Sequence, residues 1–277
     1  DMAREFRILS RLWRALTYVP RGIHYCENTE VLGVSFQLIE YREGLIIRGT
    51  DLPSPDCAPE LSEMLVSTLA RLHAVDPASV GLDTLGRPDG FLERTVSGWS
   101  ARALEAIGAD EDRRVVESVT DWLSSQRVKD QAPCLLHCDF KLDNCILDPQ
   151  TLQPNAVIDW DMGTRGPALF DLATMLSYWV EPNDPPCMHK LGQMPTAHPG
   201  FPSRNEMVQR YAQITGQDVS DYPVFRVLAV FKLGVVFFQL HQRWLAGSAG
   251  DARYSEFGHL GRALLQYAHS VAVDTRL

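Results

Sequence analysis

Residues 135–144 read LLHCDFKLDN, and residues 156–161 read AVIDWD. In the first stretch two leucines lead into His137, Asp139, Lys141 and Asn144. In the second, Ala156, Val157 and Ile158 lead into Asp159 and Asp161. Short apolar runs that stop at turn-forming polar residues read as strand ends. Asp139 and Asn144 stand five positions apart on a loop, which lets both side chains turn toward one point. Asp159 comes from the end of the next strand. One carboxylate can take a proton from an attacking hydroxyl. An Asn oxygen and a second carboxylate can hold Mg²⁺, a hard cation that keeps company with phosphate oxygens and one or two carboxylates. These are the parts that phosphoryl transfer needs, because that chemistry is mostly positioning and charge neutralisation. Lys141 reaches either the transferring phosphoryl oxygens or Asp139 itself. His137 reads as a core residue that orients the loop from below. Capping of strands explains any one of these polar groups, but not the whole spacing with both apolar lead-ins.

The rest of the composition limits the alternatives. The chain has 277 residues, 45% of them hydrophobic and 22% charged, enough for a large core. Its net charge is −9 and it has no Lys/Arg block, so neither nucleic acid nor a membrane is an expected partner. A nucleotide and a small-molecule acceptor are. The six cysteines include no CxxC pair and read as reduced thiols of a cytoplasmic protein. A zinc site built from Cys134, His137, Cys138 and Cys145 has the right residue types but the wrong spacing. The apolar run at 233–240 is too short to span a bilayer and reads as part of a core helix. Oligomeric state stays open.

Periodicity supplies a coarse layout. Residues 3–16 form an amphipathic helix with Phe6, Leu9, Trp13 and Leu16 on one face. Residues 31–41 read as two strands turning at Gly33, closed by Glu43 and Gly44. A helix runs from Pro59 to His73, with further helices at 91–107, 111–126, 169–179, 204–215, 222–246 and 254–272. Residues 134–161 are strand-like with tight turns. Residues 181–205 carry many prolines and few apolar anchors, and read as a long surface excursion. The class is α+β.

HCDFKLDN and VIDWD resemble the catalytic and metal-binding motifs of the aminoglycoside phosphotransferase-like kinases, a branch of the protein-kinase fold. The segments VLGVSFQLIEY, GRPDGFLERTVSGW, FDLATMLSYW and GFPSRNEMVQRY extend the likeness over most of the chain. They are similar to the subfamily whose members also occur fused to acyl-CoA dehydrogenases. The resemblance implies a protein-kinase-like fold with a truncated small N-terminal β lobe and a large, mainly helical C-terminal lobe. Residues 1–44 would be the remainder of the N-terminal lobe and hinge, and residues 45–277 the C-terminal lobe with the catalytic loop and acceptor site. Asp139 would be the catalytic base, with Lys141 beside it. Asn144 and Asp159 would hold Mg²⁺. Gln37, Glu40 and Tyr41 would border the adenine of ATP (or GTP), Glu5 would be the helix glutamate of the phosphate site, and Asp171 would brace the catalytic loop. Asp161 would support the metal site or face the substrate. Trp160, Tyr178 and Trp179 would line the acceptor pocket or belong to the core.

Two residues depart from the family pattern. Cys138 stands where Gly is usual, which implies strain if the backbone there needs a positive φ. Lys141 stands where Arg is common, keeping the charge without the two-pronged geometry. The chain also lacks features the fold normally has before Glu5. Its first lysine is Lys129, and no two glycines are spaced as GxG. With Asp1 opening the sequence in mid-pattern, the favoured expectation is a longer parent protein, ahead of a shortened kinase or a degenerate relative. The expected function is Mg²⁺/ATP-dependent phosphorylation of a small-molecule hydroxyl, with a hydroxy-acyl metabolite as acceptor. The alternatives are a non-catalytic nucleotide- or metabolite-binding pseudokinase module and an aminoglycoside-modifying phosphotransferase.

Overall fold

The computed structural model describes residues 2–108, 110–129, 131–248 and 250–274. In chain order the elements are α1 (Met2–Leu12), β1 (Gly22–Cys26), α2 (Thr29–Leu32), β2 (Phe36–Ile39), α3 (Ala58–His73), α4 (Phe91–Ala106) and α5 (Asp110–Ser125). Four short strands follow: β3 (Cys134–Leu136), β4 (Cys145–Leu147), β5 (Pro154–Val157) and β6 (Thr164–Gly166). The chain ends with α6 (Ala168–Ser177), α7 (Pro186–His189), α8 (Arg204–Thr215), α9 (Tyr222–Leu245) and α10 (Phe257–Asp274). The architecture is α+β. Two compact units form. One holds Asp1–Pro88, Gln131–Glu181 and Gly192–Val219, and the other Asp89–Asp130, Pro182–Leu191 and Ser220–Leu277.

In the first unit, α1 stops at Leu12, where the amides of Ala15 and Leu16 both close on the Leu12 carbonyl. Its buried face is Ile8, Leu9 and Leu12, while Phe6 and Trp13 are half-buried, so the expected stripe is rotated and shortened. The hairpin expected across Gly33 is also different. β2 pairs antiparallel with β1, a strand the sequence pattern did not single out. Residues 29–32 form a helical turn instead of a strand. The Asn28 side chain caps its start by accepting from Glu30 N, and Gly33 ends it at φ 81. A residue with no Cβ takes that left-handed C-cap without strain.

Past β2 the chain docks on β4, where Leu45 and Leu147 exchange both backbone hydrogen bonds at 2.7 and 2.8 Å. Gly44 makes this approach possible, since a Cβ there would lie 2.3 Å from the Leu147 carbonyl oxygen. β4 pairs with β5, and β3 with β6, both antiparallel.

The stretch at 181–205 is better anchored than its prolines suggested. Cys187, Met188, Leu191 and Met194 are all buried. In the first unit, Trp179 Nε1 donates to the Pro202 carbonyl at 2.9 Å, and Val180 N to Thr196 Oγ1 at 2.7 Å. Arg204 is buried, pairs with Glu181 at 2.6 Å and donates to the Trp179 carbonyl. The helix that carries the first two anchors, α7, is only four residues long and opens on prolines, so periodicity gave little to count.

In the second unit α9 packs along α10 and also meets α4 and α5. Among the described residues α9 is the one helix long and apolar enough to cross a membrane, but 72% of its apolar window is buried. It is the core helix of this unit, and residues 233–240 lie inside it.

Candidate active site

The pairs β3–β6 and β4–β5 leave two loops, residues 137–144 and 158–163, side by side. They are tied together directly: Ile158 N donates to the Asn144 carbonyl at 2.9 Å, and His137 Nε2 to the Ile158 carbonyl at 3.0 Å. His137 Nδ1 accepts the Asp139 amide at 3.3 Å, so the proton sits on Nε2 and the ring is neutral. Burial holds its pKa below the usual value, and its ring packs 4.6 Å from that of Trp160. His137 therefore orients the loop from below, the structural role its position suggested.

Beneath the loop lies a buried brace. Asp171, fully enclosed at the start of α6, accepts the amides of His137 and Cys138, both at 2.7 Å. It also meets His73 Nε2 at 3.3 Å, while His73 Nδ1 meets the Tyr211 hydroxyl at 2.7 Å. Burial works against the Asp171 charge. The hydrogen bonds from His73 and from the His137 amide overcome it and hold the carboxyl below its usual range. Cys138 has φ 68, the left-handed conformation in which a Cβ is strained. The strain implied by a side chain at this position is present.

Above the brace, Asp139 is surrounded by donors. Its Oδ2 accepts from Lys141 Nζ at 2.6 Å and from Asn144 Nδ2 at 3.2 Å, and its Oδ1 accepts from the Tyr178 hydroxyl at 2.7 Å. Asn144 Nδ2 also donates to the Asp139 carbonyl at 2.8 Å. Those two contacts fix the amide orientation and leave Asn144 Oδ1, an acceptor, facing elsewhere. Lys141 Nζ lies 3.9 Å from Asp143 and 5.0 Å over the Tyr178 ring. Burial pushes the Asp143 carboxyl up, and its Oδ1 is enclosed without a hydrogen-bond partner.

Asp159 sits at φ 66 in the second loop. Withdrawal from water, then repulsion by Asp161, Asp139 and Glu5, push its carboxyl up to about 6. Such a cluster suits a divalent cation, and Asn144 Oδ1 with the Asp159 carboxylate are the hard oxygen donors that Mg²⁺ takes. Among the described residues no group of three or more His, Cys, Asp and Glu side chains is arranged to hold a metal by itself. Two thiols of the zinc alternative are engaged elsewhere. Cys134 and Cys145 donate to the carbonyls of Gly166 and Lys141, and burial pushes both thiols far up.

Glu5, on α1, reaches the same loop. Its Oε2 accepts from Gln37 Nε2 at 2.6 Å and its Oε1 from the Trp160 amide at 3.3 Å. Glu40 lies just past β2, where its carboxylate accepts from the Arg21 amide at 3.1 Å and from Arg42 at 2.9 Å. Those bonds hold its pKa low. Tyr41 is 82% exposed. The structure thus joins Asp139, Lys141 and Asn144 directly, and links Glu5 and Gln37 to the neighbour of Asp159. Glu40 and Tyr41 stand outside that hydrogen-bonded group. Trp160 and Trp179 are core residues, whereas the Tyr178 hydroxyl faces Asp139. Sequence reasoning missed His73, Tyr211 and Asp143. The single hint for His73 was a polar residue on the inward face of α3, one helical turn after Leu69.

The phosphotransferase enzyme family model matches residues 1–206. The chain belongs to this family. This family member is 31% identical over 250 residues to acyl-CoA dehydrogenase family member 11 of Rattus norvegicus, an alignment covering 88% of the chain and 32% of the relative. It therefore spans about a third of the length of that curated relative. A Ralstonia eutropha protein solved as a candidate aminoglycoside phosphotransferase superposes with a TM-score of 0.85 at 22% identity, covering 99% of this chain and 83% of that one. An aminoglycoside phosphotransferase APH(4)-Ia variant, solved with AMP-PNP and hygromycin B, gives a TM-score of 0.63 at 14% identity, covering 98% and 83%. At these identities the likeness is one of fold. The fold is protein-kinase-like, with a small N-terminal β part and a large helical remainder.

Proposed function

We propose that this chain carries the catalytic site of a Mg²⁺- and ATP-dependent phosphotransferase that phosphorylates a hydroxyl of a small molecule. The observation that carries the reading is the Asp139 carboxylate, held by Lys141 and Asn144 beside the Asp159 turn. In this reading Asp139 takes the proton of the acceptor hydroxyl, and Lys141 holds the carboxylate in position and offers positive charge to the transferring group. Asn144 and Asp159 hold Mg²⁺, which supplies charge neutralisation at the phosphates. Glu5, steadied by Gln37, supports the Asp159 turn through the Trp160 amide. Residues 1–44 act as the rest of the N-terminal lobe and hinge, where Glu40 and Tyr41 border the nucleotide base. Residues 45–277 form the C-terminal lobe with the acceptor site. The AMP-PNP held by one structural neighbour favours ATP over GTP as donor. The acyl-CoA dehydrogenase name of the curated relative favours a hydroxy-acyl acceptor. The test is phosphoryl transfer from labelled ATP to a hydroxyacyl-CoA panel, with aminoglycosides run in parallel. Asp139→Ala is expected to lower the rate by roughly 10²–10⁴-fold. Transfer undiminished in that variant would refute the assignment of the base, and turnover of aminoglycosides alone would move the acceptor class.

A second reading has one observation in its favour. Glu5 pairs with Gln37 and a backbone amide, not with a lysine. A non-catalytic nucleotide-binding module fits that contact equally well. Phosphate transfer by the 277-residue chain itself eliminates it.

A further inference from the structure

Tyr178 follows directly on α6 as its C-cap and is buried. Its hydroxyl donates to Asp139 Oδ1 at 2.7 Å, and its ring lies under Lys141 Nζ at 5.0 Å. Lys141 and Asn144 donate to the other oxygen, Oδ2. Burial and the Asp139 charge push the phenol well above its usual pKa, so it stays protonated and acts as a donor. A general base that accepts a proton from an acceptor hydroxyl is thus already bonded, on one of its two oxygens, to a hydroxyl of the protein. Asp139 is not sealed off, since its side chain keeps 22% exposure.

We propose that the Tyr178 hydroxyl is a placeholder for the acceptor: it caps Asp139 Oδ1 against water and yields that oxygen to an incoming acceptor hydroxyl. The inference rests on the reading of Asp139 as base. Its purpose is chemical. With donor nucleotide bound and no acceptor, water is the competing nucleophile. A water at Oδ1 would give its proton to Asp139 as its oxygen attacks the γ-phosphorus. The bond to the β,γ-bridging oxygen would break, yielding ADP, inorganic phosphate and a proton. Excluding water from a reacting centre is a recognised task of an active site. A phenol on the base does this without closing the site to larger alcohols. Tyr178 is accordingly a positioning residue that sets the balance between transfer and hydrolysis.

The test needs no knowledge of the acceptor. MgATP binding and ATP hydrolysis, with water as the sole acceptor, are measured for the 277-residue chain, Tyr178→Phe, Asp139→Ala and the double variant. Phe keeps the ring and removes the hydroxyl. Tyr178→Phe is expected to bind MgATP as the wild type does and to hydrolyse it roughly tenfold faster, the equivalent of one hydrogen bond to a charged group. That gain is expected to vanish in the double variant. Equal binding with no gain in hydrolysis overturns the placeholder role and leaves the kinase reading intact. A gain that persists in the double variant overturns Asp139 as base. Absence of MgATP binding by the wild type removes the reading that the 277-residue chain alone holds a working nucleotide site, and this inference with it.

Discussion

The loop at 137–144 and the ribbon of β1, α2 and β2 belong to the same unit, yet they are held in opposite ways. In the loop and the brace beneath it, His137 and Asp171 are fully buried and Asn144 nearly so, and each has hydrogen-bond partners. In the ribbon, Ile23, Val31, Leu32, Val34, Leu38 and Ile39 are apolar and exposed. It is held by its own backbone ladder and by α1, through contacts such as the Phe6–Tyr25 stack at 5.7 Å. Catalytic geometry of sub-ångström quality requires the first arrangement. Buried polar groups with all partners in place have one arrangement, and losing a partner is expensive. A two-stranded ribbon with an apolar outer face has no such constraint.

The largest effect is expected where the loop meets its brace. Asp171→Ala would strand two buried amides and His73, and is expected to cost about 3–5 kcal/mol in urea unfolding, since each buried polar group left without its partner costs roughly 1–3 kcal/mol. An effect under about 1 kcal/mol would show that the loop is not held from below. The pH dependence has a definite sign. Asp171 is depressed below its ordinary 3.8, so its stabilisation is complete above that value and fades as pH falls through the lower folded value. His137 is held neutral by burial, so the unfolded chain takes up a proton that the folded one refuses as pH falls past 6.5. Acidification should therefore weaken the fold in two stages, with the lower stage missing in Asp171→Asn.

The same contrast explains what could be read from the sequence. The group of Asp139, Lys141 and Asn144 was legible because its members lie within six residues and act on one another locally. The positions of α3, α4, α5, α8 and α9 were legible because each has a long apolar period and clear end signals, such as the capping box of Ser203 and Glu206 on α8. Tyr211 and His73 were not, because their partnership spans 138 residues and leaves no spacing to count. The ribbon misled for a different reason. VLGVSF has strand-like composition, but a helical turn capped by Asn28 and Gly33 takes its first two residues, and turn chemistry outweighed propensity.

A middle-sized effect tests the strain stored in the loop. Elsewhere alanine is more favourable than glycine by roughly 0.5–1 kcal/mol in a regular element. At φ 68 the order should reverse, with Cys138→Gly more stable than Cys138→Ala by about 1 kcal/mol. Comparing the two variants with each other cancels the lost thiol packing. If alanine proves equal or better, the loop has relaxed out of the left-handed region and the brace of Asp171 is looser than its 2.7 Å bonds imply.

The smallest effect is expected on the ribbon, and it is the sharpest probe of the contrast. Leu32 and Val34 are 65% and 62% exposed. If that surface faces water, Leu32→Ser and Val34→Ser remove little burial, and each should shift unfolding by no more than about 0.5 kcal/mol. Exposed apolar side chains in such number are also a natural place for association. A loss of about 2 kcal/mol or more from either change, with stability that depends on protein concentration, would mean that the ribbon is covered by a second chain in solution. The comparison would then be between two buried regions, one closed by the chain itself and one by its partner. A null result at every concentration keeps the ribbon as a surface that contributes nothing by its apolar side chains, and leaves the buried polar loop as the part of this unit whose geometry is fixed.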